Sequence, residues 1–361
     1  MIKVLVSTSS SDAAGNSDDI SSAVDAITRA VPREAVQFFQ IDTSPGPKTG
    51  RIARPVTSLL KSGQAVLTVL TAQFDILHLN TAMRPRAVIR DLAIASGARA
   101  RSRPIVLHIH GTVPVRQPPP PLARRAAALL IRLAHHIVLV SRTELAFFGK
   151  AYPGLEGKAK VICNGTSNSA SSSPRGADAV EGRLKAAFMG PMSAEHGLTT
   201  LMAACRRLTY FDEVDVDFFG DGELLPGLLE LTQRKAFVRY RGALPSSERR
   251  MILQNYDALI FPAVRMAGVP MALFEAMSAG AVPLCAGTPS MTEFVTDGET
   301  GLLIQPGSAN AIVEALLQLK RDAPARRSMA AAAQKFAAAN LDARRNYAKL
   351  AEIYQQICPG S

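Results

Sequence analysis

The sequence predicts an α/β protein of two doubly wound domains. Three observations predict it. Short apolar runs alternate with helix-length segments in both halves, the runs of the first half are continuous rather than alternating, and one aperiodic stretch interrupts the pattern near the middle. Unbroken Val/Ile/Leu runs are the mark of parallel strands covered on both faces, where neither side can take a polar residue. Strands separated by helix-length segments make βαβ units and hence a parallel sheet.

In the first half the expected strands are KVLV (3–6), VQFFQI (36–41), DILHL (75–79), PIVLHIH (104–110), HIVLV (136–140) and KVIC (160–163). Helical patterns such as DDISSAVDAITRAV, AVIRDLAIASGARA and LARRAAALLIRLA lie between them. The Ser/Gly/Pro/Asn-rich run GTSNSASSSPRGADAVEG (165–182) has no period and reads as a linker. The pattern then restarts with strands at LKAAFMG, VDVDFFGDG, FVRYRG, ALIFPA and AVPLCA. Between the last two, PMALFEAMSAG reads as a helix that Pro270 opens and Gly280 closes. The end, from about residue 325, is helical. The expected divisions are an N-terminal domain over 1–166, a linker over 167–183, a C-terminal domain over 184–335 and a terminal helix over 336–361 that packs back on the first domain.

A chain of 361 residues is long enough for two hydrophobic cores. Its start, MIKVLVSTSSSD, reads as a buried strand and not as a signal peptide, because no apolar core segment or small-residue cleavage site follows. The longest apolar stretch, AAALLIRLAHHIVLV, is broken by Arg132, His135 and His136, so a cytoplasmic protein without a membrane span is expected. The four cysteines are far apart and lack metal-ligand or redox spacing. Charge is more informative. Residues 1–170 hold 21 Lys/Arg against 10 Asp/Glu, whereas the rest hold 20 of each. One half is basic and the other neutral, which points to an anionic partner such as a membrane surface or a phosphorylated lipid. Nucleic acid is not expected, because residues 43–142 contain Phe74 but no Tyr or Trp on which bases could stack. No GxGxxG follows any strand, which argues against a dinucleotide oxidoreductase.

The segments AAFMGPMSAEHGLTTLMAA, VDFFGDGEL, VRYRGALPSSERRMILQNYDALIFPA and GVPMALFEAMSAGAVPLCAGTPSMTEFVTDGETGLLI resemble the donor domain of the GT-B glycosyltransferases, specifically glycosyltransferase family 4. Upstream, FDILHLN, PIVLHIHGT, HHIVLVSRTELAFF and KVICNGT stand in the order and spacing of that family's acceptor domain. The resemblance implies two Rossmann-like domains facing across a cleft that holds the active site. It implies transfer of a sugar from a nucleotide-sugar donor, UDP-linked by family frequency, to a polysaccharide-precursor or lipid-linked saccharide acceptor. Retention of anomeric configuration, no bound metal and no cofactor beyond the co-substrate are also implied. On the donor side, Gly268, Val269, Pro270 and Met271 lead into a helix whose free N–H groups can receive a diphosphate. Glu275 in that helix is implied to hold the ribose, while the turns at Gly190 and Gly222 bring backbone close to a ligand. On the acceptor side, His110 is the implied catalytic histidine. Gly15, Asn16, Asn80 and Gly111 stand at neighbouring strand ends or loops. His108 points the same way as His110 one step deeper and reads as a core histidine. A metal on the pair is not expected, since no third ligand is at hand.

The chain departs from the family pattern around the sugar diphosphate. Ala267 stands where a first Glu precedes Glu275 by eight positions, and Pro191 and His196 stand where two basic residues are usual. Arg265, or His196 when protonated, can supply the missing positive charge. The alternative reading is a catalytically weakened relative that binds a nucleotide sugar or a partner glycosyltransferase. The basic acceptor half, with Arg84, Arg86, Arg90, Arg99, Arg101, Arg103, Arg124, Arg125 and Arg132, is expected to meet anionic lipid on the inner face of the cell membrane.

Overall fold

The structure, a computed structural model, describes residues 1–8, 19–43, 53–110, 120–166, 182–263 and 269–359. Two compact units divide the chain: residues up to Gly165 together with those from Ala343 onward, and Thr166–Asp342. The first contains β1 (Ile2–Thr8), α1 (Asp19–Ala30), β2 (Val36–Asp42), α2 (Ala53–Thr71), β3 (Ile76–Thr81), α3 (Pro85–Ala100), β4 (Ile105–Ile109), α4 (Pro121–Leu133), β5 (His136–Leu139), α5 (Arg142–Ala151) and β6 (Ala159–Val161). These strands form one sheet, ordered β2-β1-β3-β4-β5-β6 and parallel throughout. Winding reverses between β1 and β3, which leaves a crevice at their carboxyl ends.

The second unit contains β7 (Leu184–Met189), α6 (Leu198–Arg207), β8 (Val214–Phe219), α7 (Leu225–Arg234), β9 (Val238–Gly242), α8 (Ser246–Leu253), β10 (Ala258–Phe261), α9 (Met271–Ala279), β11 (Val282–Ala286), α10 (Pro289–Thr292), β12 (Leu302–Ile304), α11 (Ala309–Arg321) and α12 (Ala323–Asn340). Its parallel sheet runs β12-β11-β10-β7-β8-β9, and its winding reverses between β7 and β10. The expected pair of doubly wound domains is present. The three-residue β12 was too short to show a pattern in the sequence.

Local sequence explains the elements that matter to the sites. Ser141 caps α5: its Oγ accepts from the Glu144 N–H at 3.1 Å, and Glu144 Oε2 reaches back to accept from the Val140 N–H at 3.0 Å. α9 starts after Pro270 and ends at Gly280, whose φ of 81° is left-handed, as the sequence predicts. The helical end divides in two. Asp322 caps α12 by accepting from the Ala325 N–H, and the chain leaves that helix at Leu341 before re-entering the first unit as α13 (Ala343–Ile357). Ala343, Tyr347, Leu350 and Tyr354 recur at helical spacing, so one face of α13 seals the sheet with Ile2, Val4, Ile76 and Val106. Each fully buried large side chain there contributes about 1.5–3 kcal/mol.

On one face of the second sheet, Asp217 on β8 accepts from Arg239 Nε at 2.8 Å, Arg241 Nε at 2.9 Å and the Tyr256 hydroxyl at 2.7 Å. Asp215 joins the set through Arg239 Nη2 and Arg183 Nε. Burial pushes the Asp217 carboxyl up, but the three donors outweigh it and hold the group below its ordinary range. Asp217→Ala leaves three donors without an acceptor and should cost about 2–3 kcal/mol in urea unfolding at pH 7. Arg241→Ala removes a half-exposed partner and should cost less than about 1 kcal/mol. Equal losses in the two variants would show that Asp217 does not organise the network.

Candidate functional site

In the first unit, the sheet face that carries α13 changes character along its strands. Ile76 and Val106 are apolar, the next residues on that face are His78 and His108, and the last are Asn80 and His110. All four polar side chains are buried. They lie beside the β1/β3 crevice, where the Asn80 N–H donates to Ser7 Oγ at 2.7 Å.

Hydrogen bonding fixes the His110 tautomer. Asn80 Nδ2 donates to the Ser7 carbonyl at 2.7 Å, so its Oδ1 is an acceptor and takes a proton from His110 Nε2 at 2.8 Å. Burial pulls His110 down to about 3, so the ring is neutral at pH 7. A neutral ring protonated on Nε2 has its lone pair on Nδ1, and that atom has no partner among the described residues. Tyr354, held protonated by burial, shares a 2.5 Å hydrogen bond with His78 Nδ1. His78, also pulled down to about 3 by burial, shares a second, at 3.2 Å, between its Nε2 and His108 Nδ1. His108 Nε2 is likewise unpartnered among the described residues. Its ring lies 4.0 Å from that of His110. The result is a buried acceptor beside a second unpartnered ring nitrogen, suited to a hydroxyl group.

In the second unit, the β7/β10 switch point is built from backbone. The Gly190 N–H donates to the Phe219 carbonyl, the Met192 N–H to Asp221 and the Leu224 N–H to Met192, which locks the loop after β7 to the loop after β8. A Cβ on Gly220 (φ 141°) would lie 1.9 Å from the Gly190 oxygen. At Gly197 (φ 79°) a Cβ would lie 2.4 Å from the oxygen of Pro262, the residue after β10. His196 is held through Nδ1 by Ser193 Oγ at 2.7 Å, and Gly222 donates its N–H to Asp221 Oδ1. Val269, Pro270 and Met271 lead into α9, and every residue from Met271 to Ser278 is buried. Glu275 is the one charged residue in this helix and is 7% exposed.

The structure thus brings His110 together with Asn80 in one unit. In the other it places Gly190, His196 and Gly222 on adjoining loops, and Glu275 one turn into α9. Gly15, Asn16, Gly111, Arg265 and Gly268, with the substituted Ala267, lie outside the described residues. The sequence reading passed over the link from His108 through His78 to Tyr354. Its signal was the helical spacing that turns Tyr354 toward the sheet. Asp91 was also passed over. It is fully buried on α3, its pKa raised by burial against the pull of Arg90, and its Oδ2 has no partner among the described residues.

Residues 22–169 match the family model described as Glycosyltransferase Family 4, and residues 173–336 match Glycosyl transferases group 1. Over 156 residues the chain is 29% identical to WcaL of Escherichia coli (strain K12), a glycosyltransferase assigned to colanic acid biosynthesis; the match covers 40% of this chain and 38% of that protein. O-antigen chain mannosyltransferase B of Escherichia coli is 28% identical over 102 residues, which are 28% of this chain and 26% of that one. The chain thus spans well under half the length of the curated relatives it matches. The crystal structure of Anabaena Alr3699/HepE in complex with UDP superposes with a TM-score of 0.76 at 18% identity, covering 99% of this chain and 100% of the other.

The three buried histidines make a pH prediction. Burial, the largest cause for each, lowers all three below the unfolded value of about 6.5. Their contribution to stability is therefore complete above pH 6.5 and is lost as the pH falls, because unfolding then takes up protons. Each adds about 1.4 kcal/mol per pH unit. Urea midpoints measured between pH 7.5 and 5.5 should drop more steeply than one histidine allows. A flat profile would contradict the assigned neutral chain.

Proposed function

The chain belongs to the GT-B glycosyltransferases of family 4, and from that premise we propose that it moves a sugar from a UDP-linked donor to a polysaccharide-precursor or lipid-linked saccharide acceptor, with retention of configuration. The observation that carries the proposal is Glu275, a buried carboxylate on the helix that starts at the second unit's switch point. A helix start offers unpaired N–H groups and about half a positive charge to a diphosphate. A carboxylate one turn further in accepts two vicinal ribose hydroxyls. The complex of HepE with UDP supports a uridine donor, and the colanic acid and O-antigen relatives support a polysaccharide product.

His110 presents a lone pair at Nδ1 without carrying charge. It accepts a hydrogen bond from a sugar hydroxyl and orients it, with the unpartnered His108 Nε2 beside it. Departure of UDP builds charge on the diphosphate, which the N-terminus of α9 meets. A second reading, a chain that binds the donor without turning it over, is favoured by Ala267, Pro191 and His196 at positions where the family carries an acid and two bases.

We also propose contact with a membrane surface. Among the described residues no helix is long and apolar enough to cross a membrane. α2 nevertheless exposes Leu59, Leu60, Leu67 and Leu70, and Leu122 is exposed on α4 beside the exposed Arg124 and Arg125. Exposed apolar side chains on a basic domain suit the interface of an anionic bilayer.

Calorimetric titration with UDP, GDP and their sugar conjugates should show saturable binding of one base. Glu275→Ala, losing two hydrogen bonds of about 1.5–3 kcal/mol each, should weaken it by about two to four powers of ten. Absence of binding to all of them removes the donor reading. Binding without transfer or donor hydrolysis selects the second reading. Co-sedimentation with phosphatidylglycerol vesicles should fall at least tenfold in the Leu60→Glu, Leu67→Glu double variant; an unchanged pellet counts against the membrane face.

A further inference from the structure

At the other edge of the first unit's sheet, where β4 and β5 begin, a cavity of about 650 Å³ opens. Arg99 from the last turn of α3, Arg132 from the last turn of α4, His135, His136 and Lys158 line it, with Ile357 of α13 beside them. None of its lining residues is acidic. His110 lies five residues along the strand from Ile105, a separation of about 16 Å at the usual strand rise, so this cavity takes no part in the site described above.

The Ile105 N–H donates to His135 Nδ1 at 3.0 Å. A backbone amide can only donate, so Nδ1 is an acceptor and the ring proton sits on Nε2. Yet Nε2 faces Arg99 Nη1 at 3.3 Å, and a guanidinium also only donates. Two donors therefore point at each other on the cavity wall, an arrangement that an oxygen with free lone pairs relieves by accepting from both. Lys158 is committed to the end of α4, donating to the carbonyls of Arg132 and Ala134 at 3.1 and 3.0 Å, but its charge remains at the rim. Burial, then Arg99, Lys158 and His136, hold His135 below its ordinary value; burial and Lys160 do the same to His136. Both rings are neutral donors at pH 7, in a field set by cations alone.

We propose that this cavity binds the phosphate group of a small soluble phosphorylated compound, with Arg99 and His135 Nε2–H donating to its oxygens and Arg132 adding charge. Arg and His donors around one anionic oxygen group give short, charge-assisted bonds. The volume falls within the range of small-molecule pockets, which suits a compact soluble molecule.

The test is a titration of the full chain followed through the imidazole resonances of His135 and His136, with glycerol 3-phosphate and inorganic phosphate as soluble probes. Vesicles of phosphatidic acid in phosphatidylcholine form the lipid arm. Expected are a saturable shift of both histidines with glycerol 3-phosphate, at least tenfold weaker in Arg99→Met and in Arg132→Met, and undiminished in Glu275→Ala. Both arginines are exposed, so these variants keep the fold, and the unliganded spectrum reports whether they do. No saturable shift, equal affinity in Arg99→Met, or a response to the vesicles alone would each overturn the proposal.

Discussion

In a parallel sheet with helices on both faces, polar side chains have one place to go, and that constraint arranges both units. The middle of each strand is sealed, as Ile76, Val106 and Val138 are under α13. Toward the carboxyl ends the helices leave in opposite directions at the reversal points, β1/β3 and β7/β10. Ser7 meets Asn80 at the first point, and Gly190 lies across from the approach to α9 at the second. The candidate residues cluster there because neighbouring positions offer neither space nor solvent.

The constraint also explains the chemistry of the histidines. A charged imidazole at 0% exposure would lack the water that stabilises it, so His78 and His108 remain neutral and must pair as donor and acceptor. Asn80 fixes the proton of His110 on Nε2, and Tyr354 closes the His78–His108 pair at the other end. The bonds leave a lone pair on His110 Nδ1 beside the unpartnered Nε2 of His108. Their chemistry follows from partners in β1 and α13, and not from any property of the His-x-His pair itself.

This also marks how far the sequence could be read. Continuous apolar runs mark most strands, because burial on two faces writes itself into consecutive residues; β8 and β9 instead alternate, with Asp215, Asp217, Arg239 and Arg241 on one face. Pro270 and Gly280 bracketed α9, because each acts through its own backbone. The break before α13 was hidden, since the Ala-rich α12 runs on through residue 340 and the chain turns back at Leu341 and Asp342 for reasons of packing. His78 and Tyr354 stand 276 residues apart, and no local pattern could reveal that they share a proton. His108 read as a core histidine for the same reason: its burial was legible and its bonding was not.

The departures around Pro191 and His196 can be weighed in the same terms. The loop after β7 owes its position to backbone contacts with the loops after β8 and β10, through Gly190, Met192, Gly197, Gly220 and Leu224. Pro191 is exposed and takes no part in them. A change of side chain at 191 or 196 therefore alters the charge beside this loop without moving its backbone. On the proposed function, what is lost is the electrostatic share of two cations, roughly 1.5–3 kcal/mol for each charge-assisted bond. What remains is the dipole of α9 and the Glu275 carboxylate, neither of which depends on those two side chains. On the proposed reading, the substitutions weaken the hold on a donor's phosphates while leaving intact the frame that recognises its nucleoside.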